Sequence, residues 1–240
     1  MSSPKAQLRA FYNEAAEDFS RTREKPWREV FSFVEEESKR LRQEKGEANP
    51  NLLDIGCGNG RHSLYALKKE FRVFSLDFSI NLLRILKSYS YRKEFQPYLS
   101  NLHLIYADAL SLPLKSWSMD TVLCIAVLHH LSTKKERLKA LKEINRVLKR
   151  EGKLLVSVWA FEQKRFKKEY LSHLEIYGEG HEKFGNVYVS WKFKKPEKIF
   201  QRFYHLFIKG EVEKLCIEAG FEVLSSFKAS TNYYAICRKV

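Results

Sequence analysis

A turn rich in glycine carries the strongest chemical signal in the sequence. The segment Leu53–Gly60 is an apolar strand that runs directly into glycines at alternate positions, Gly56, Gly58 and Gly60, with Asp54 just before them. Glycine permits positive φ and lets a ligand approach the backbone, and a helix that begins after the turn offers unpaired N–H groups. A dinucleotide site would instead have the spacing G-x-G-x-x-G. The pattern predicts a turn built for close contact with a ligand.

Carboxylates recur where two further strands are predicted to end. Asp77 closes the second strand at the distance from the glycines at which a carboxylate reaches ribose hydroxyls, and Asp108 follows the third strand. Taken singly, Asp77 could be the N-terminal acid of a helix and Asp108 an exposed turn acid. Together with Asp54, they favour a ligand site over a turn selected only for packing.

The glycine spacing with its preceding acid resembles the first motif of class I S-adenosylmethionine-dependent methyltransferases. A nicotinamide site and a turn selected only for packing are the alternatives. The resemblance implies S-adenosylmethionine as the cofactor, whose cationic centres suit a nearby carboxylate. The same resemblance implies that Asp108 meets the adenine amino group and that Phe78, Ala109 and Ile125 at the strand ends contact the cofactor. It also implies a Rossmann-like α/β fold.

Five further segments are similar to the eukaryotic-type tRNA wobble-uridine carboxymethyl methyltransferases. They are Phe19–Trp27, Ala107–Pro113, Ile125–Thr133, Ser157–Gln163 and Arg202–Glu211. The resemblance implies an enzyme that esterifies the carboxylate of 5-carboxymethyluridine at the wobble position of the tRNA anticodon loop. Two departures are visible: the family's long lysine-rich insertion is shortened, and its C-terminal Arg-Asp-Asn-Trp pattern reads Ser-Thr-Asn-Tyr.

The same correspondence assigns substrate positioning to Arg23, His130 and Arg202, with Trp27 and Tyr204 as aromatic walls. Arginine can bind a carboxylate or a phosphate through two parallel hydrogen bonds. A uridine acetate group has a carboxyl pKa of about 4, so it is ionised at neutral pH and needs no general base. Alignment of the reacting groups should therefore dominate catalysis. His130 could equally cap a helix or lie in the core.

Alternating strands and helices must bring these groups together. Apolar residues at helical spacing predict a helix over Leu8–Phe19 and a second stripe over Val30–Val34, joined at Thr22–Pro26. After a polar connection, Glu44–Asn51, the pattern becomes βαβαβ, which gives a parallel sheet with helices on both faces. The predicted fold class is α/β, mostly parallel, with a C-terminal antiparallel hairpin.

The individual elements follow from apolar runs and capping signals. Thr133 and Glu136 have capping-box spacing at the start of a helix that Gly152 closes, and a later helix, Glu211–Ala219, ends at Gly220. We predict strands at Leu52–Leu53, Arg72–Leu76, His103–Tyr106, Thr121–Val127, Lys153–Val158, Phe221–Phe227 and Asn232–Cys237.

We expect a single domain with four parts. Residues 1–45 would form a helical cap and residues 50–160 the cofactor-binding core. Residues 161–207 would be a basic, aromatic insertion over one edge of the core, and residues 208–240 the last helix and hairpin.

Charge and aromatic residues favour an RNA partner. The 43 Lys and Arg residues against 29 Asp and Glu give a net charge of +14, which favours a polyanion. In the insertion, cations alternate with aromatic side chains, as in proteins that recognise RNA loops. A solvated lysine-rich surface over an aromatic mini-core is the alternative. The residues are Lys164, Arg165, Lys167, Lys168, Lys192, Lys194, Lys195, Lys198 and Arg202, with Phe166, Tyr170, Trp191, Phe193, Phe200 and Phe203.

Cysteine usage and hydropathy indicate the compartment. Cys57, Cys124, Cys216 and Cys237 are far apart without a C-x-x-C pair, so neither a metal site nor a disulfide scaffold is predicted. The longest apolar run, Thr121–Leu128, is far shorter than the roughly 20 residues that cross a bilayer. We expect a cytoplasmic protein with no membrane segment.

The resemblance also implies a protein partner, a small zinc-ribbon activator whose sheet pairs with the third strand of the methyltransferase. The apolar segment His103–Tyr106 is the candidate edge for such a heterodimer, although self-association could cover it instead. The isolated chain would then be poorly soluble or weakly active. A small-molecule carboxylate O-methyltransferase and a catalytically silent RNA-binding scaffold are the alternative functions.

Overall fold

The computed structural model describes residues 3–46, 49–178, 181–193 and 198–240, so part of the predicted connection Glu44–Asn51 lies outside it. The helices are α1 (Pro4–Glu14), α2 (Ala16–Arg21), α3 (Arg28–Lys45), α4 (Arg61–Lys68), α5 (Ile80–Ser90), α6 (Lys134–Val147), α7 (Lys167–Tyr177) and α8 (Glu211–Glu218). The strands are β1 (Asn51–Ile55), β2 (Arg72–Asp77), β3 (Leu102–Tyr106), β4 (Met119–Ile125), β5 (Leu148–Trp159), β6 (Asn186–Phe193), β7 (Lys198–His205), β8 (Phe221–Ala229) and β9 (Asn232–Lys239). Three segments form 3-10 turns, Lys93–Asn101, Leu128–His130 and Lys164–Phe166.

Seven strands form one sheet in the order β3-β2-β1-β4-β5-β9-β8. The first five strands pair in parallel, whereas β9 is antiparallel to both β5 and β8. The predicted fold class, including the C-terminal hairpin, is confirmed. Strand order reverses direction between β1 and β4, and open α/β sheets bind ligands in the crevice at the carboxyl ends of such strands.

Helices cover both faces of the sheet because successive residues of the central strands point to opposite faces and both sets are apolar. Leu53 and Leu154 face the cluster that contains α6 and α8. Their neighbours Leu52 and Leu155 face the opposite cluster, with α3 and α4. This period of two residues identifies fully buried central strands, which fix the positions of the loops at their ends.

Helix α6 opens with the predicted capping box, but the prediction that Gly152 closes it was wrong. The helix ends at Val147, and β5 begins with Leu148, which pairs with Met119 of β4. Sheet pairing therefore extends further back along the chain than the helical pattern suggested. Gly152 lies inside the strand, where a Cβ would be 2.8 Å from the carbonyl oxygen of Lys149.

The stripe predicted as one N-terminal helix is divided into α1 and α2 at Ala15. The break lets the two halves contact different elements. Phe11 of α1 packs against Trp191 of β6, with ring centroids 5.6 Å apart, whereas Phe19 of α2 lies against Gly58. Sequence periodicity predicted the apolar stripe but not its two partners.

Residues 161–207 contain α7 and the antiparallel β6–β7 ribbon. This segment lies over the carboxyl end of the sheet rather than over one edge, because the ribbon packs on α1 and lines a cavity together with the glycine turn. The predicted RNA contacts Lys194 and Lys195 lie outside the described residues, as do the side chains of Lys192, Phe193 and Lys198.

Candidate active site

A cavity of about 350 Å³ lies at the carboxyl ends of the central strands, closed by α1, the segment before α3 and the β6–β7 ribbon. It contains all but two of the predicted site residues. Those lining it are Arg23, Trp27, Gly56, Gly58, Asp77, Phe78, Asp108, Ala109, Ile125, His130, Arg202 and Tyr204. Residues assigned to cofactor and to substrate thus share one space.

The glycine turn presents bare backbone to this cavity. Gly56 and Gly58 have φ angles of 64° and 57°, a region that strongly favours glycine. A Cβ at Gly56 would lie 2.5 Å from Cγ2 of Val127. The N–H of Gly58 donates to Oδ2 of Asp77 at 2.8 Å, which ties the turn to the end of β2.

Asp77 is buried and its carboxylate is held by main-chain groups. Oδ1 accepts a hydrogen bond from the N–H of Ser79 at 2.8 Å. Burial raises the pKa of Asp77 to about 6, against which these backbone hydrogen bonds act. The group is therefore predominantly ionised at neutral pH.

Asp54 and Gly60 are the two predicted site residues that do not line the cavity. Asp54 lies beneath the turn, 1% exposed, where the hydroxyl of Ser63 donates to it at 2.6 Å. Burial raises the pKa of Asp54 to about 7. Gly60 precedes α4 with a φ of 79°, and a Cβ there would overlap Leu86. Both residues support the turn from below.

Asp108 lies at the end of the cavity that α1 covers. Its Oδ2 forms an ion pair with Lys5 of α1, and its Oδ1 accepts from the N–H of Leu110 at 2.9 Å. Pro4 and Leu8 line the same end. The N-terminal helix therefore lies across the predicted adenine position.

At the opposite end, a hydrogen-bond chain joins three elements. Nη1 of Arg202 donates to the hydroxyl of Tyr204 at 2.8 Å. The Tyr204 hydroxyl adjoins that of Tyr12 and interacts with it, and the Tyr12 hydroxyl lies 2.9 Å from Nε2 of His130. The chain ends where Nδ1 of His130 lies 3.4 Å from the carbonyl oxygen of Phe203.

His130 is a neutral member of this chain. Burial lowers its pKa to about 3, so the ring carries one proton at neutral pH. The carbonyl of Phe203 can only accept, which places that proton on Nδ1 and leaves Nε2 to accept from Tyr12. Both ring nitrogens are thus engaged within the protein.

Four arginines that line the cavity are stacked on aromatic rings, and no described carboxylate forms an ion pair with them. They are Arg23 over Phe19 at 4.1 Å, Arg61 over Trp27 at 4.9 Å, Arg165 over Trp159 at 4.5 Å and Arg202 over Phe11 at 4.8 Å. Ring faces hold a guanidinium without neutralising it. The cavity can therefore offer its positive charge to an anionic ligand.

Sequence reasoning missed Tyr12, Arg61 and Trp159 as cavity residues and treated Arg165 only as an RNA contact. Trp159 stacks on Tyr204, with ring centroids 4.5 Å apart and planes 9° apart. Two signals were available: Trp159 lies in a segment that carries the resemblance, and Arg61 directly follows the glycine turn. Tyr12 was visible only as part of an apolar helix stripe.

The described residues contain no group of three or more His, Cys, Asp and Glu side chains that could hold a metal ion. No helix in the described part of the chain is long and apolar enough to span a membrane.

Residues 53–156 match the model of a methyltransferase domain family. A tRNA (carboxymethyluridine(34)-5-O)-methyltransferase from Schizosaccharomyces pombe is 31% identical, and the alignment covers 95% of this chain and 94% of that protein. A putative methyltransferase from Encephalitozoon cuniculi is 30% identical over 95% and 93% of the two chains. The tRNA (carboxymethyluridine(34)-5-O)-methyltransferase alkbh8 from Xenopus tropicalis is 27% identical over 95% of this chain, which spans 40% of the length of that protein.

Solved structures share the fold. A methyltransferase from Methanosarcina mazei has a TM-score of 0.67 at 23% identity, over 81% of this chain and 94% of the other. The 1,6-didemethyltoxoflavin-N1-methyltransferase of Burkholderia thailandensis, solved with S-adenosylhomocysteine, has a TM-score of 0.65 at 18% identity, over 100% and 92%. At these identities the likeness shows the architecture alone.

Proposed function

The chain belongs to the tRNA (carboxymethyluridine(34)-5-O)-methyltransferase family, and we propose that it methylates the carboxylate of 5-carboxymethyluridine at the wobble position of tRNA. The product is the methyl ester, 5-methoxycarbonylmethyluridine. Identity to the yeast relative along nearly the whole of both chains disfavours a small-molecule carboxylate methyltransferase and a catalytically silent scaffold.

The cofactor is S-adenosylmethionine, and the residues at the glycine turn fit it. When bound, it supplies a methyl group on a positively charged sulfur, and transfer of that group to a carboxylate neutralises both charges. Gly56 and Gly58 would allow its close approach, and Asp77 would hold the ribose hydroxyls. Asp108 would accept from the adenine amino group once Lys5 is displaced, and apolar side chains such as Ile125 would wall the ring.

One observation carries the assignment of the acceptor: a buried arginine with spare donors lines the same cavity as the glycine turn. Arg202 is 7% exposed, and its Nε has no hydrogen-bond partner among the described residues. An orphaned buried donor costs about 1–3 kcal/mol, and a bound carboxylate would satisfy it. We assign Arg202 to the substrate carboxylate, Trp27 and Tyr204 to the walls, and Arg23 to the phosphate or uracil edges.

No protein base is required for this reaction, and the site is consistent with that chemistry. The substrate carboxyl group is ionised at neutral pH, so no proton has to be removed. His129 and His130 are buried and neutral, and each ring accepts a hydrogen bond from another group of the protein. The contribution of the protein is therefore alignment and exclusion of water.

The basic insertion supports binding of the anticodon loop. Lys164, Arg165, Lys167 and Lys168 are exposed beside the cavity wall formed by Trp159. With a net charge of +14, these cations would contact RNA phosphates while the modified base enters the cavity.

The position of β3 supports a protein partner. This strand is at one end of the seven-strand sheet, and among the described strands it pairs only with β2. Tyr106 at its end is 54% exposed. We propose that the zinc-ribbon activator adds its sheet here to form a heterodimer, and that the complex works in the cytoplasm on tRNA.

The decisive experiment is nucleoside mass spectrometry of tRNA incubated with the chain and S-adenosylmethionine. Wobble 5-carboxymethyluridine should be converted into its methyl ester, a gain of one methyl group. Conversion of a free carboxylic acid but not of the tRNA would favour the small-molecule enzyme. Binding of tRNA and S-adenosylhomocysteine without any transfer, even with the activator present, would favour the scaffold.

A further inference from the structure

The hydrogen-bond chain from Arg202 to Phe203 has a fixed direction. A guanidinium can only donate, so the oxygen of Tyr204 accepts from Arg202. At the far end, a carbonyl oxygen can only accept, so His130 donates to Phe203 and accepts from Tyr12. The proton of the Tyr204 hydroxyl is then directed away from Arg202, on the side of Tyr12. Neither hydroxyl can reverse without breaking a hydrogen bond at one of the two ends.

Because of this direction, the side chains at this end of the cavity have donors to spare and few free acceptors. Nε of Arg202 has no hydrogen-bond partner in the described part of the chain. Nδ1 of His129 accepts from the N–H of Trp159 at 3.3 Å, which places the ring proton of this neutral histidine on Nε2. Arg165, stacked on Trp159, adds further N–H groups.

The carboxylates that line the cavity are engaged elsewhere. Asp77 holds the glycine turn and Asp108 pairs with Lys5. Glu136 belongs to the capping box of α6, where its Oε2 accepts from the N–H and hydroxyl of Ser132 at 2.9 and 2.8 Å. Each is tied to a group away from the hydrogen-bond chain.

We propose that this donor-rich end selects an ionised carboxyl group over the corresponding carboxamide and ester. A carboxylate is an acceptor only, so every contact with these donors is satisfied. A carboxamide presents two N–H donors to side chains that offer few free acceptors, and it also loses the attraction to Arg202. This inference rests on the proposed function and names the property of the wobble side chain that the site reads.

The same discrimination favours product release. The methyl ester has no negative charge, and one of its oxygens carries the new methyl group. Its affinity for the donor-rich end should therefore fall below that of the acid. The site would distinguish substrate from product by the charge that the reaction removes.

The test uses three synthetic anticodon stem–loops that differ only at the wobble base: 5-carboxymethyluridine, 5-carbamoylmethyluridine and uridine. Dissociation constants are measured by titration calorimetry with S-adenosylhomocysteine present. Leaving a buried N–H unsatisfied costs about 1–3 kcal/mol, so we expect the acid to bind roughly tenfold to a hundredfold more tightly than the amide. A ratio of acid to amide affinity near one overturns the proposal.

Two variants test the chain itself. Tyr204→Phe removes the hydroxyl that links Arg202 to Tyr12, and His130→Gln replaces a fixed acceptor by an amide that can donate or accept. Both should lower the acid-to-amide ratio at least about threefold while S-adenosylhomocysteine binding reports an intact fold. Tyr188→Phe, an exposed tyrosine on the same ribbon, is the matched control and should keep the wild-type ratio.

The outcomes separate this proposal from the proposed function. Equal binding of acid and amide, both tighter than uridine, with the acid still methylated, would overturn the selection mechanism and leave the enzyme's function standing. Failure to methylate the acid would instead count against the proposed function. An unchanged ratio in both variants would overturn the role of the hydrogen-bond chain.

Discussion

Asp77 and Arg202 line one cavity with opposite charges, and the proposed function gives them different ligands. Asp77→Ala removes the carboxylate that holds the Gly58 N–H and would hold the ribose. We expect affinity for S-adenosylhomocysteine to fall roughly tenfold to a hundredfold, because about 1.5–3 kcal/mol of charged hydrogen bonding is lost. Arg202→Ala should leave this affinity within about twofold and lower methyl transfer at least about a hundredfold.

Calorimetry and single-turnover transfer assays measure the two effects separately. Arg150→Ala is the control, since Arg150 is an exposed arginine of β5 that does not line the cavity. Equal loss of cofactor binding in the Asp77 and Arg202 variants would contradict the division of the cavity into a cofactor end and a substrate end.

Asp54 shows how a residue can resemble a ligand contact and instead affect stability. Its pKa is raised by burial from 3.8 to about 7. Between these pH values the Asp54 carboxyl group is ionised in the unfolded chain but protonated in the folded chain. This group therefore makes the free energy of unfolding fall as pH rises. Asp54→Asn removes the penalty while keeping an acceptor for Ser63.

We therefore expect Asp54→Asn to be more stable than the wild type, by an amount that grows from about pH 4 to pH 7 and is constant above. The gain is on the order of a few kcal/mol at pH 8 and absent at pH 4. Urea unfolding at a series of pH values measures it. A gain in unfolding free energy over wild type that is smaller at pH 8 than at pH 5 would contradict the assignment of the raised pKa to Asp54.

The turn between β1 and α4 is the element that places the cofactor-binding backbone, and Gly60 supports it without touching the cavity. Gly60→Ala combines positive φ with overlap against Leu86. We expect a loss of about 2–4 kcal/mol in unfolding free energy. Gly210→Ala is the matched control: its φ of 84° is similar, but nothing lies within 4 Å of an added Cβ, so only the backbone cost of about 1–2 kcal/mol remains.

Denaturant unfolding of both variants, with S-adenosylhomocysteine titration as the second readout, tests this explanation. The Gly60 variant should also bind the cofactor product more weakly, since its turn must shift away from Leu86. Equal destabilisation in the two variants would mean that backbone strain alone, rather than packing against α5, requires glycine here.

Elements whose signals are local were predictable from the sequence, and those set by distant contacts were not. The capping box at Thr133 and the alternating β and α segments follow from neighbouring residues, so they appear where they were predicted. The break at Ala15 depends on the ribbon that Phe11 meets. The end of α6 depends on pairing between Leu148 and Met119, nearly thirty residues earlier in the chain.

The candidate site divides in the same way. The glycines and Asp77 have a fixed spacing around one strand, helix and strand, and the structure brings them together. Tyr12 reaches His130 only because α1 lies across the sheet, so no local pattern identifies it. Resemblance supplied Arg202, but its stacking on Phe11 and its spare donors are properties of the folded chain.

At the scale of the whole molecule, the free edge at β3 stands at one end of the sheet and β8 at the other. The N–H of Ala107 donates to the carbonyl of Asp77, and alternation along a strand then places the N–H of Leu104 on the outward side. An outward row of unpaired groups is a template for another strand. A partner that pairs there would lie next to Asp108 and the end of the cavity that α1 covers.

We therefore expect the zinc-ribbon activator to raise methyl transfer by the purified chain at least about tenfold, because the paired strand stabilises the Asp108 end of the site. Leu104→Pro removes an outward donor and should abolish co-purification with the activator. Leu224→Pro is the control at the opposite edge, where β8 has a register shift between Val223 and Ser225, and it should keep the complex. S-adenosylhomocysteine binding confirms that both variants fold. Full activity of the chain alone, or equal capture of the activator by both variants, would show that β3 is not the contact. Loss of activator capture in the Leu104 variant alone would place the activator beside the cofactor.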